Sequence, residues 1–302
     1  MAASPHQSLG LPAHPLTATP HDRPKRFTVV SFHAHPDDEA LFTGGTLARV
    51  AAEGHRVVVV VATVGEQGLT AIQHSPSELG MRRLAELKVA AAKLGCRRVH
   101  WLGYADSGRN GEVPGNHAFA RVDRDLAASR LERILRDERA DALTVYDRAG
   151  GYGHPDHLSV YDVGHRAAQL AGTPLVLEAT VDRSAVLRVA RALRLVPNLP
   201  REFRARQLEN AFSAHNEITH RVDVRPYIDS KRAAMVAHSS QRSGGSNPRS
   251  MALYLRLPDP LFRRIFGYEW FIEAGRSPSG LMLDDIFASL RGDDTASGSA
   301  AS

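Results

Sequence analysis

Short apolar runs alternate along this chain with longer stretches in which apolar residues recur every three or four positions. "RFTVVSF" (26–32), "HRVVVVVAT" (55–63), "RVHWLG" (98–103), "DALTVYD" (141–147) and "TPLVLEAT" (173–180) read as short buried strands. Between them, "LFTGGTLARVAAEG" (41–54), "SELGMRRLAELKVAAAKLG" (77–95), "DRDLAASRLERILRDERA" (123–140) and "HLSVYDVGHRAAQLAG" (157–172) carry helical spacing, and Gly95 stops the second of them. The alternation predicts βαβ units. The expected fold class is α/β, a Rossmann-like, mostly parallel sheet with helices on both faces and its active site at the carboxyl ends of the strands. Further on the pattern is less regular. "YIDSKRAAMVAHSSQ" (227–241) reads as a helix, "RSGGSNPRS" (242–250) as a loop, and "RRIFGYEWFIEAG" (263–275) as an edge strand with a turn.

Composition sets the limits of this picture. Residues 1–25 are rich in Pro, Ala, Ser and His without periodicity and are expected to be a disordered tail, as are residues 289–302. A single domain over 26–288 is expected between them, with 182–226 a variable basic segment. Between Asp182 and Gln207, seven arginines (183, 188, 191, 194, 201, 204 and 206) stand against only Asp182 and Glu202, a surplus equal to the chain's whole formal charge of +5. Such a stripe suits nucleic acid, but without interleaved aromatics or a recognised module it reads as a solvated helix, and no nucleic-acid or membrane partner is expected. One cysteine, Cys96, excludes an intramolecular disulfide and a zinc site built of several thiolates. No apolar run approaches the roughly 20 residues that span a bilayer, and the N-terminus has no secretory pattern, so a soluble cytoplasmic protein is expected.

The strand ends carry the chemistry. After the first strand come His33, His35, Asp37, Asp38 and Glu39; after the second, "TVGEQG" with Glu66; after the third, "YADSGRNG" with Asp106 and Ser107. The fourth is followed by "YDRAGGYGHPDHLS", with Asp147, Tyr152, His154, Asp156 and His157. Ligands of open parallel sheets bind at this edge, where the loops converge. "HPDD" and "HPDH" are both stiffened by proline, and each offers donors three residues apart. Two histidines and one carboxylate leave a coordination position open, as a catalytic metal requires, and a neighbouring free carboxylate could take a proton from water. Either cluster alone has a bland reading, "DD" as a helix cap or the histidines as surface residues. Their pairing at two strand ends of one sheet favours the metal. Of the fifteen histidines, His6, His14, His21, His55, His74 and His117 are read as surface or capping residues.

With those residues in view, "AHPDDE" (34–39), "TVGEQG" (63–68), "RLAELKVAAAKLG" (83–95), "LGYADSG" (102–108) and "GYGHPDH" (151–157) resemble the PIG-L/LmbE-like family of zinc-dependent N-acetylglucosaminyl deacetylases. A weaker likeness continues through "KRAAMVAHSSQ" (231–241) and "GYEWF" (267–271). The resemblance implies that His35, Asp38 and His157 hold one zinc per chain, that Asp37 is the general base, and that His154 stabilises the oxyanion or protonates the leaving amine. It implies a supporting role for Asp156 behind an imidazole, and substrate contacts for Glu66, Arg83, Asp106 and Tyr152. The same ligand set also suits Fe(II). The loop after Glu66 and the stretch after "HPDDE" look closer to general family members than to the mycothiol-pathway enzymes, and Phe42 and "RNGEVPGNHAF" (109–119) are candidates for lining a different pocket.

The expected activity is hydrolysis of an N-acetyl or other N-acyl group on a small-molecule amino sugar or glycoconjugate. Two alternatives stand beside it: an amidase acting on a larger thiol or natural-product conjugate, and a sugar- or metal-binding protein without catalysis. Asp37 and all three presumed ligands are present, which argues against the second.

Overall fold

The structure, a computed structural model, describes residues 25–68, 75–109, 111, 113, 116–193, 211–242 and 251–292. Both terminal tails, except 25 and 289–292, lie outside the described residues, as do His6, His14, His21, His74 and the arginines at 194, 201, 204 and 206.

A seven-stranded sheet organises the molecule: β1 (Thr28–His33), β2 (Arg56–Val61), β3 (Arg98–Trp101), β4 (Ala142–Tyr146), β5 (Leu175–Thr180), β6 (His220–Asp223) and β7 (Tyr268–Glu273). Their spatial order is β3-β2-β1-β4-β5-β7-β6, with the first five parallel and β7 antiparallel to both its neighbours. The helices of the wound part are α1 (Gly44–Ala52), α2 (Pro76–Lys93), α3 (Arg124–Glu138) and α4 (Pro155–Ala171). The chain winds outward from β1 to β3 and then crosses back to β4 and β5. Right-handed crossovers put α1 and α2 on one face and α3 and α4 on the other. β1 and β4 are neighbours from which the winding diverges, so their carboxyl ends flank the natural crevice.

The sequence explains the core. Val57 to Val61 are all fully buried, as a strand covered on both faces demands, and Phe32, Leu47, Leu87, Leu131 and Tyr146 fill the space on either side. α2 starts at a capping box, with Ser75 and Glu78 exchanging bonds around Pro76, and α3 starts at the Asp123 cap.

The second half departs from expectation in two ways. The segment expected as one edge strand is α7 (Asp259–Phe266; the preceding α5 is Arg183–Leu193 and α6 is Ile228–Ala237) followed by β7. β7 is interior, between β5 and β6, and the four-residue β6 is the edge. Strand β6, "HRVD", is too short to show period-two alternation, which is why the pattern does not betray it. His55 is also not a surface residue. It is 8% exposed, its Nδ1 accepts the Phe27 amide, and its ring packs on Phe287.

Candidate active site

At the end of β1 the chain turns sharply through Pro36 and Asp37. Asp37 has φ = 112°, a region that ordinary L-residues avoid and whose occupation costs about 1–3 kcal/mol. A five-residue π-helical turn, Glu39–Thr43, follows and leads into α1. Such turns recur at functional sites, because they re-aim side chains without ending the helix. Asp38 accepts the His35 amide on Oδ2, which pins the loop's carboxylate inward.

The end of β4 is built differently. Buried Asp147 accepts the Gly151 amide on Oδ1, while its Oδ2 accepts the hydroxyls of Thr180 and Ser213. This fixes the glycine turn 150–153. A side chain at Gly150 would meet the Leu158 backbone at 3.0 Å and would need φ near +61°, so glycine is required there. His154 then caps α4, its Nδ1 accepting the Asp156 amide at 3.2 Å, and Pro155 occupies the first helical position.

The two ends meet. Asp38 Oδ2 lies 3.3 Å from His35 Nδ1 and 3.4 Å from His157 Nε2, between the two rings. The far nitrogen of His35, Nε2, is 3.1 Å from Asp156 Oδ2, and Ser107 donates to the same Asp156 carboxylate through its amide and hydroxyl. The imidazoles of His35, His154 and His157 also offer nitrogens within 4.8 Å of one another. His157 is completely buried; among the described residues its Nδ1 has no hydrogen-bond partner and its Nε2 has only the 3.4 Å approach of Asp38 Oδ2. A buried imidazole normally satisfies both, so this ring fits a divalent ion on one nitrogen. The donor set of imidazoles and a carboxylate fits such an ion as well.

Charge in the pocket is strongly biased. Burial pushes His35 down, but Asp106, Asp156 and Asp38 outweigh it and hold its pKa well above the usual value. Burial, then the neighbouring imidazoles of His35 and His157, lowers His154 to about 4. Burial raises Asp37 to about 6 against the pull of Arg83.

The remaining predicted residues are drawn in with evident structural partners. Arg83 is 3% exposed, with Nη1 donating to Gly65 O, Nη2 donating to Pro36 O, and Nη2 lying 3.3 Å from Asp37 Oδ1. A Cβ at Gly65 or Gly68 would strike its guanidinium at 2.2 Å, which is why the "GEQG" loop carries glycine there. Asp106 receives the amides of Gly108 and Gln67 and sits 3.5 Å from His35 Nε2, while Glu66 accepts the Asp106 amide. Tyr152 crosses His157 edge-on at 4.9 Å. Phe42 is 8% exposed and packs on Tyr146 and His157, beside the cluster. From the 109–119 stretch, Phe119 is fully buried against Phe32 and Tyr104.

Sequence reasoning missed Tyr146. Its ring stacks on His157 at 4.0 Å and 7°, and its hydroxyl accepts the Ala34 amide. Burial and the nearby Asp38 charge raise its phenol well above the usual range, so it stays a neutral donor. The available signal was a tyrosine closing a buried strand one residue before Asp147. Glu39 and His238 were missed as a pair: they meet at 2.6 Å, both fully buried.

Comparison with known proteins follows this geometry. Residues 30–168, which contain both strand-end clusters, match the PIG-L family, described as GlcNAc-PI de-N-acetylase. A 1D-myo-inositol 2-acetamido-2-deoxy-alpha-D-glucopyranoside deacetylase of Acidothermus cellulolyticus is 35% identical, over 80% of this chain and 86% of its own. A protein of the same name from Streptomyces scabiei is 33% identical over 93% of each chain. In fold, the chain resembles the N,N'-diacetylchitobiose deacetylase of Pyrococcus horikoshii, with a TM-score of 0.52 at 23% identity over 82% of this chain and 83% of that one. Similarity of this extent, reaching well beyond the clustered histidines and aspartates, establishes that the chain belongs to the PIG-L family of de-N-acetylases.

Proposed function

We propose that this protein is a metal-dependent amide hydrolase that removes the acetyl group from an N-acetylglucosaminyl conjugate, with GlcNAc-inositol as its first candidate substrate. The observation that carries the reading is Asp38 lying between His35 and fully buried His157, with Asp37 next to it in the chain. The substrate choice rests on relatives that share most of their length with this chain and are named for GlcNAc-inositol.

His35, Asp38 and His157 are the proposed ligands, of one zinc per chain or of iron(II) in its place. When bound, the ion supplies Lewis acidity that brings the pKa of water toward about 7. Asp156 orients His35 by accepting from its outer nitrogen, and Tyr146 stacks on His157 to fix the second ring. Asp37 takes the proton of the attacking water. Its carboxyl, raised by burial to about 6, is ionised at neutral pH yet basic enough for the task. His154 is neutral at this pH, and its Nδ1 already accepts the Asp156 amide, so its proton resides on Nε2. That N–H is the proposed donor to the developing oxyanion. A neutral imidazole is a poor acid, so Asp37, having gained a proton, returns it to the leaving amine. Glu66, Arg83, Asp106 and Tyr152 form the proposed wall toward the sugar. No helix among the described residues is long and apolar enough to cross a membrane, and a cytoplasmic small-molecule enzyme is the reading adopted.

Release of free amine from GlcNAc-inositol, GlcNAc, diacetylchitobiose and N-acyl glycoconjugates with longer chains tests the proposal. Turnover of GlcNAc-inositol above the others supports it. Preference for long-chain or bulky conjugates would replace it with the amidase alternative, and absence of turnover by metal-loaded protein would replace it with a binding role.

A further inference from the structure

The motif "KRAAMVAHSSQ" lies far from the two clusters in sequence and contributes none of the groups assigned above, yet it is wired into both sides of Asp37. His238 follows α6 directly, and its Nε2 is 2.6 Å from Glu39 Oε1. The other Glu39 oxygen, Oε2, accepts the backbone amide of Asp37 at 3.0 Å. Glu39 and His238 are both fully buried, and among the described residues His238 Nδ1 has no hydrogen-bond partner, so the ring's hydrogen bond there is the one with Glu39.

The next two residues reach a second element. Ser239 Oγ and the Ser240 amide donate to Glu86 Oε1 at 2.7 and 3.0 Å, and Ser240 Oγ donates to Glu86 Oε2 at 2.7 Å. Glu86 sits on α2 three residues after Arg83, whose guanidinium holds Pro36 O and lies 3.3 Å from the Asp37 carboxylate. Two turns earlier on α6, Lys231 donates to Leu41 O and to Glu269, which caps the first amides of α1 at Gly45 and Thr46. One helix and its end thus grip the π-helical turn at both extremities.

Asp37 needs such a grip. Its φ of 112° is not a conformation that the chain keeps unaided, and strained residues persist where surrounding structure over-determines them. We propose that residues 238–240 form a positioning clamp for Asp37: His238 fixes its backbone through Glu39, and Ser239 and Ser240 fix its carboxylate through Glu86, α2 and Arg83. The proposal rests on the reading of Asp37 as general base. These are positioning residues, because neither His238 nor the serines touch the proposed ligands or Asp37 directly.

The test is steady-state amine release by metal-loaded wild-type, His238→Ala, His238→Gln and His238→Asn proteins, with metal content measured on each. Loss of supporting contacts of this kind typically costs about tenfold to a hundredfold. His238→Ala is expected to lower kcat by that factor, with KM within about twofold and metal content unchanged. His238→Gln, whose amide reaches the Nε2 position, is expected to restore kcat to within about threefold. His238→Asn, whose amide reaches only the Nδ1 position, is not. Should the alanine variant fail to fold, the Gln and Asn pair makes the same comparison. In an Asp37→Asn background the His238→Ala change should cost little more, because the group it positions is gone. Full activity of His238→Ala, an effect confined to KM, or an undiminished loss in the Asp37→Asn background would each overturn the clamp. If Asp37→Asn itself proved fully active, the base assignment would fall first, and the clamp with it.

Discussion

The two strand ends that build the site reach the same point by opposite means. The end of β4 is set mostly within its own turn and helix: Asp147, backed by Thr180 and Ser213, holds its own glycine turn, His154 caps its own helix, and Pro155 starts it. The end of β1 is sustained from afar. Its aspartate is strained, its helix begins as a π turn, and its supports come from residues 190 and 199 positions away, Lys231 and His238. The contrast separates two ways of placing a catalytic group. Groups that tolerate regular geometry can be set mainly by capping and turn chemistry in their own stretch of chain. A base that must point against its backbone preference needs the tertiary structure to hold it.

The comparison can be broken at several points. The largest effect is expected from Asp37→Asn, which removes the proposed base and should lower kcat about a hundredfold to ten-thousandfold with metal retained. A wild-type rate would show that the strained end does not carry the chemistry. His154→Ala removes a donor from the local end and should lower kcat about a hundredfold to a thousandfold, again with metal retained. Loss of the metal in that variant would make His154 a ligand, a role that its distance from His35 and His157 also allows.

Next in size is the pH profile. A base raised to about 6 by burial is lost as pH falls through that value, so kcat should drop about tenfold per pH unit below the limb. A cation beside it favours the ionised form and moves the limb down, so the limb is expected at or below pH 6. A limb near pH 8 would point to another group.

The smallest effects are on stability, and they should have opposite signs. Asp37→Gly relieves the positive φ and should raise unfolding stability by about 1 kcal/mol while abolishing turnover. His154→Ala removes a helix cap and should lower stability by about 1 kcal/mol. Denaturant titration of both proteins checks the pair. Destabilisation by Asp37→Gly would mean that the loop is not strained in the way its backbone indicates.

The same contrast decides what was legible in the sequence. Five parallel strands and four helices stood out because valine runs and helical spacing are local signals, and the ionisable residues at the strand ends announced the crevice. Asp38 lies between the imidazoles of His35 and His157, which come from the two proline-stiffened motifs. What lies beyond local pattern was not readable: the four-residue β6, the interior position of β7, the Tyr146 stack on His157, and the link between Glu39 and His238. Each depends on chain segments that only the fold brings together. Loop resemblance and whole-chain likeness point in different directions. The stretches after "HPDDE" and Glu66 looked unlike the mycothiol-pathway enzymes, whereas likeness over most of the chain is to proteins named for GlcNAc-inositol. Loops vary faster than the scaffold that carries them, so the whole-chain comparison has more weight.

In the proposed mechanism, both strand ends supply ligands to one catalytic metal. Elemental analysis of gently purified wild-type and His157→Ala protein, paired with amine release from GlcNAc-inositol, tests it most directly. About one zinc or iron per wild-type chain is expected, with activity that a chelator removes and added metal restores, and with loss of both metal and turnover in His157→Ala. Wild-type protein that turns over substrate without metal, or a His157→Ala variant that keeps both metal and rate, would contradict it.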